Sequence, residues 1–192
     1  MDAKIRNEFL GDIKLSNLVL LGENHEFYPH FSNNMSIQNL LIEKAYKNRL
    51  NYNLALEHGD FNPNLSNEEA YQILQKDFSN TFEKFFRPLL DTVIRYRSGK
   101  IHLIGYHKEN HPENNQKMAK HLNHIISKDS VTLAIIGQRH LGSNGSDYAS
   151  VQSYIKPGFR PLTILQSTEK NNDIISRIDK ISPNTPKYII GI

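Results

Sequence analysis

The chain has 192 residues, a hydrophobic fraction of 38% and a net charge of +3. That is about one domain's length and enough to bury a core without staples. Cysteine is absent, which excludes a disulfide framework, a thiolate zinc site and a Cys nucleophile. Lys and Arg are scattered among acidic residues rather than gathered in a stripe, so the sequence predicts no nucleic-acid partner.

In chain order, MDAKIRNEFLGDIKLSN breaks its apolar residues with charges and offers neither a signal h-region nor a spanning run. The expectation is a cytoplasmic protein with no membrane partner, with export by a specialised secretion system as the exception. Residues 18–22 (LVLLG) read as a buried strand. Ile37, Leu40, Leu41, Ala45 and Tyr46 then recur at helical spacing, with Asn33, Asn34 or Ser36 as candidate N-caps. A second strand is predicted over 52–58 (YNLALEH). Ser66 with Glu69 forms a capping-box signature opening a helix over 67–77. A further helix over 81–97 is expected to kink or break near Pro88.

Strands follow at 101–107 and 131–137, separated by a helix carrying Met118, Leu122, Ile125 and Ile126. A short helix near 148–155, a fifth strand at 160–166 and a sixth at 187–192 complete the chain. Strands separated by helical stretches need crossover connections. The fold class is therefore α/β: one domain over 1–192, three layers, with a mostly parallel sheet of about five or six strands flanked by helices.

Ligands of open parallel sheets sit beyond the carboxyl ends of the strands. There the first strand delivers Glu23 and His25, with His30 shortly after, and the second Glu57, His58 and Asp60. The third delivers Tyr106 and His107, and the fourth Arg139 and His140. Glu23, His25, Glu57 and His140 form the candidate catalytic set, and His58, His107, Arg139 and Asp60 the candidate substrate contacts. His58 and His107 read more readily as structural histidines, and Glu23 taken alone as a capping carboxylate. As a group, two carboxylates and two imidazoles suit a divalent metal such as Mn, Fe, Co or Zn, which would activate water. Without metal, one His is a general base oriented by a Glu, while the other His and Arg139 stabilise an oxyanion. There is no H-E-x-x-H, G-x-S-x-G, P-loop or G-x-G-x-x-G.

These segments resemble the ChaN-like proteins, part of a wider superfamily with the erythromycin esterases, the TIKI and TraB metalloproteases and GumN-like proteins. LLGENHEFYPH (20–30) resembles a strand ending in Gly-Glu-x-His followed by Pro and His, and LALEHGDF (54–61) a strand ending in an essential Glu. FFRPLLDTVIRYRSGKIHLIGYH (85–107) and VTLAIIGQRHLGS (131–143) resemble the third and fourth motifs. The resemblance runs from about 17 to 167 and places roles on Glu23, His25, Glu57 and His140. It departs at His107, where the family usually has Asn nearby, and in lacking a lipobox Cys. The spacing of Glu and His also differs from that of erythromycin esterases.

The resemblance implies a hydrolase that activates water to cleave an ester or amide in a small-molecule or peptide substrate. The alternative is a haem-binding protein without turnover, for which the histidines, Tyr28 and Tyr106 are candidate axial ligands. A third reading is a secreted effector or toxin domain on this fold.

Overall fold

The computed structural model describes residues 3–23, 31–105, 111–141, 149–159, 161–166, 175–177 and 187–190. Its helices are α1 (Ala3–Leu15), α2 (Phe31–Asn48), α3 (Asn67–Asp77), α4 (Arg87–Arg95) and α5 (His111–Ile125). The strands are β1 (Leu18–Glu23), β2 (Asn51–Leu56), β3 (Gly99–Leu103), β4 (Ser130–Gly137), β5 (Leu162–Gln166), β6 (Ile175–Arg177) and β7 (Lys187–Ile190). They form one sheet in the order β3-β2-β4-β1-β5-β7-β6. Six strands are parallel, and β6 alone pairs antiparallel, with β7. The short β6 is an addition to the strands read from the sequence.

The central strands explain themselves. All eight residues of β4 (SVTLAIIG) are buried, as suits a strand covered on both faces. Alternation then splits the core into two layers. Val19, Leu21, Leu54, Leu56, Leu133 and Ile135 pack against Phe9, Ile37, Leu41, Leu74 and Leu90 from α1 to α4. On the other face, Leu18, Leu20, Ala55, Ala134 and Ile136 pack against Met118, Ala119 and Leu122 of α5 and against Val151. Truncating such a buried Leu to Ala costs about 2–5 kcal/mol.

Helix boundaries follow local chemistry. The Ser66–Glu69 capping box forms as read, with Glu69 N–H donating to Ser66 Oγ (3.1 Å) and Ser66 N–H to Glu69 Oε2 (2.8 Å). Pro88 sits in the first turn of α4, where its missing N–H costs nothing. The predicted 81–97 helix breaks just before it, into a π-helical turn over Phe82–Phe86. Helix α2 starts at Phe31, ahead of all three candidate caps, and Tyr46 is 74% exposed rather than part of its buried face. Helix α1 was not legible, because few apolar residues anchor it. Phe9 meets Tyr188 of β7 edge-on at 5.1 Å, and the Tyr188 hydroxyl donates to Asp12 Oδ2 (2.5 Å).

The connections determine where a ligand sits. From β1 the chain crosses by α2, on the α1–α4 face, to β2. From β4 it crosses by way of Val151–Tyr154, on the α5 face, to β5. The two crossovers leave adjacent strands in opposite directions on opposite faces. That makes the carboxyl ends of β1 and β4 the switch point of the sheet, the place where parallel α/β folds open a crevice.

Candidate functional site

At the switch point Glu23 ends β1 directly opposite Gly137, which ends β4. Glu57 lies one residue past β2 and reaches across, so that its Oε2 accepts the Gly137 N–H at 2.6 Å. Its other oxygen, Oε1, lies 3.2 Å from His140 Nε2. The Glu57 side chain is 4% exposed and that of His140 11%. A short helical turn, Gln138–Leu141, follows β4 at once and swings His140 back over the strand ends. On its far side His140 Nδ1 lies 2.6 Å from Asn115 Oδ1 of α5, and Asn115 Nδ2 donates to the Ala149 carbonyl (2.9 Å).

Glu23 is held separately. Asn34, inside α2, donates to its Oε2 (3.3 Å), and Gln166 at the end of β5 donates to Asn34 Oδ1 (2.9 Å). Asn34 is thus a buried holder of Glu23 rather than a helix cap, since α2 starts three residues earlier. Parity assigns the two carboxylates to opposite faces. Glu23 shares its face with Val19 and Leu21, towards α2, whereas Glu57 shares its face with Ala55, towards α5. The switch point is flanked by one carboxylate from each layer.

Gly22 explains part of the first motif. A Cβ there would lie 3.0 Å from Leu165 Cδ2 and 3.1 Å from Gln138 Cβ. Only glycine lets the turn that carries His140 pack this closely on β1.

The remaining predicted residues are placed as follows. His25 and His107, with His30, Tyr28 and Tyr106, lie outside the described residues. His58 lies past the end of β2, where its N–H closes a tight turn on the Leu56 carbonyl (2.8 Å), and its side chain goes to α3 rather than to His140. Its Nε2 lies 2.9 Å from Asp77 Oδ2, and its ring packs on Phe78 at 4.8 Å. Asp60 and Arg139 are exposed. Among the described residues no three His, Asp or Glu side chains are grouped to hold a metal ion, and no helix is long and apolar enough to cross a membrane.

Sequence reading took Asn34 only for a candidate cap and missed Asn115 and Gln166; Asn34 holds Glu23, Asn115 holds His140, and Gln166 holds Asn34. Asn is a poor helix former, so a buried Asn on the apolar side of a predicted helix was the available signal. A second polar cluster also escaped it, running from the edge strand β3 across β2 to β4 on the α5 face. His102 Nε2 lies 3.2 Å from Asn53 Oδ1, and Asn53 Nδ2 donates to Thr132 Oγ1 (3.3 Å). Burial, with the nearby charges of Lys100 and His124, lowers the His102 pKa from 6.5 to about 4, so the ring is neutral at pH 7.

No family model matches the sequence, and no curated protein matches it. A solved structure does, that of ChaN of Campylobacter jejuni with cofacially bound heme. It is 15% identical, and the alignment covers 95% of this chain and 90% of that one, with a TM-score of 0.55. The fold is ChaN-like. At that identity the likeness is one of architecture. The ChaN-like fold spans nearly the whole chain, and within it Glu57, His140 and Glu23 stand where strand order places the crevice.

Proposed function

We propose that this chain binds haem at the carboxyl edge of its sheet. The observation that carries the reading is the match in fold over 95% of the chain to ChaN, a protein solved with heme bound. The donor set at the edge is compatible with it and narrows the iron ligands. Both ring nitrogens of His140 already face acceptor oxygens, so the axial ligand falls to the segments that adjoin the same strand ends. These carry His25 and Tyr28 after β1, and Tyr106 and His107 after β3. When bound, haem would supply an iron whose behaviour is set by a His or Tyr axial ligand and by the polarity around it.

Titration of the purified protein with haemin, followed at the Soret band, tests this. The expected result is a saturable Soret shift that moves or is lost in His25→Ala, Tyr28→Phe, Tyr106→Phe or His107→Ala. A spectrum equal to that of free haemin at every ratio would refute the proposal.

A second reading, water-activating hydrolysis of an ester or amide, is favoured by one specific feature. Asn115, His140 and Glu57 form a hydrogen-bonded row at the switch point, the arrangement of an oriented acid–base pair. Turnover of an ester or amide panel that is lost in His140→Gln, without added haem, would establish it in place of simple binding. Divalent metal assistance belongs to this reading, and a thermal shift with Mn, Zn, Co or Fe that His25→Ala removes would support it.

A further inference from the structure

Asn115 stands in the first half of α5, 3% exposed. Asn lowers helix stability because its side chain competes for backbone partners, yet here both ends of the amide are used. The Nδ2 group donates to the Ala149 carbonyl at 2.9 Å, and a carbonyl oxygen can only accept. That contact fixes the orientation of the amide, because the reverse orientation would set two acceptors against each other. Oδ1 is therefore the atom 2.6 Å from His140 Nδ1, and a short contact between an amide oxygen and a ring nitrogen requires a proton on the nitrogen.

From this geometry we infer that Asn115 is the positioning residue that holds the proton on Nδ1 of His140, leaving Nε2, turned to Glu57, as the nitrogen that exchanges its proton. The inference rests on the carboxyl edge being the functional site. Glu57 completes the device. Gly137 N–H fixes one carboxylate oxygen and leaves the other turned to Nε2 at 3.2 Å. With Nε2 protonated, the pair is an imidazolium against a carboxylate. When Nε2–H gives its proton to a base, the N–H bond breaks, the electron pair stays on nitrogen, and a neutral imidazole with Nδ1–H remains. The lone pair then faces the Glu57 carboxylate, so the ring retakes a proton. Partners on one ring nitrogen decide the use of the other in just this sense.

The test is a two-bond nitrogen–proton spectrum of uniformly 15N-labelled protein, with the His140 signals assigned by their disappearance in His140→Gln. The expected spectrum shows Nδ1 protonated in the wild type at every pH at which the protein is folded. Asn115→Leu should release the ring to a mixture that includes the Nε2–H form, and Asn115→Asp should restore Nδ1–H. Asn115→Ser, too short to reach the ring, serves as the second variant and should behave as the Leu variant does. Wild-type protein with an unprotonated Nδ1, or an unchanged signal in the folded Leu or Ser variant, would overturn the assignment.

These signals need no haem, so they stand apart from the success or failure of haem binding.

Discussion

Acidification should weaken this fold through one buried side chain, His102. Its pKa is lowered from 6.5 to about 4 in the folded state, chiefly by burial and then by Lys100 and His124. The unfolded chain binds that proton near 6.5 and the folded chain near 4, so between those values the unfolded state holds more protons and gains on acidification. Lowering the pKa from 6.5 to about 4, at about 1.4 kcal/mol for each tenfold in proton affinity, is worth about 3.5 kcal/mol. That contribution is intact above pH 6.5, falls progressively below it and is lost near pH 4. Against a total of about 5–15 kcal/mol, it is large enough to read. His102→Gln keeps a donor towards Asn53 Oδ1 and cannot titrate. Urea midpoints of both proteins between pH 7 and pH 4.5, where the difference should reach about 2.5 kcal/mol, isolate the effect from the other histidines. Parallel pH profiles, or a His102 resonance titrating near 6.5, would refute the reasoning.

Three other outcomes are expected. Gly22→Ala would push the new methyl group against Leu165 and Gln138; a loss of about 1–3 kcal/mol is expected by thermal melt, with displaced His140 signals. Glu57→Gln keeps an acceptor for the Gly137 N–H but turns an NH2 group towards His140. Breaking a buried pair from one side costs about 3–5 kcal/mol, read from chemical denaturation, and a near-neutral change would show that the pair is not formed. Arg49 ends α2 with φ of 56°, while Leu50 N–H closes back on the Ala45 carbonyl. A left-handed residue is best served by glycine there, so Arg49→Gly should stabilise by up to about 1 kcal/mol, seen as a raised melting temperature.

What the sequence determined by itself is the alternation of elements and the strand ends at which chemistry gathers. Runs such as VTLAIIG are apolar at every position but Thr132, the pattern of a strand covered on both faces. Ser66 with Glu69, and Pro88, set helix starts through bonds within a few residues. Periods and caps are local, so they are legible. The pairing of Glu57 with His140, 83 residues apart, is not local, though the rule about strand ends brought both residues to the same edge.

Only the tertiary structure decided which faces they use. Strand order put β4 between β1 and β2, so Glu57 reaches the Gly137 amide while Glu23 is turned to α2. The turn after β2 sends His58, one residue on, to Asp77. Asn34, Asn115 and Gln166 carry no charge and no motif, and they matter because helices and strands distant in sequence bring each to a charged group or to another of the three. His102 reads in the sequence as one more strand histidine, and burial lowers its pKa to about 4, so that acid acts on the fold through it. Hydrogen-bond partners and burial are properties of packed elements, and packing is settled only when every crossover has chosen its side of the sheet.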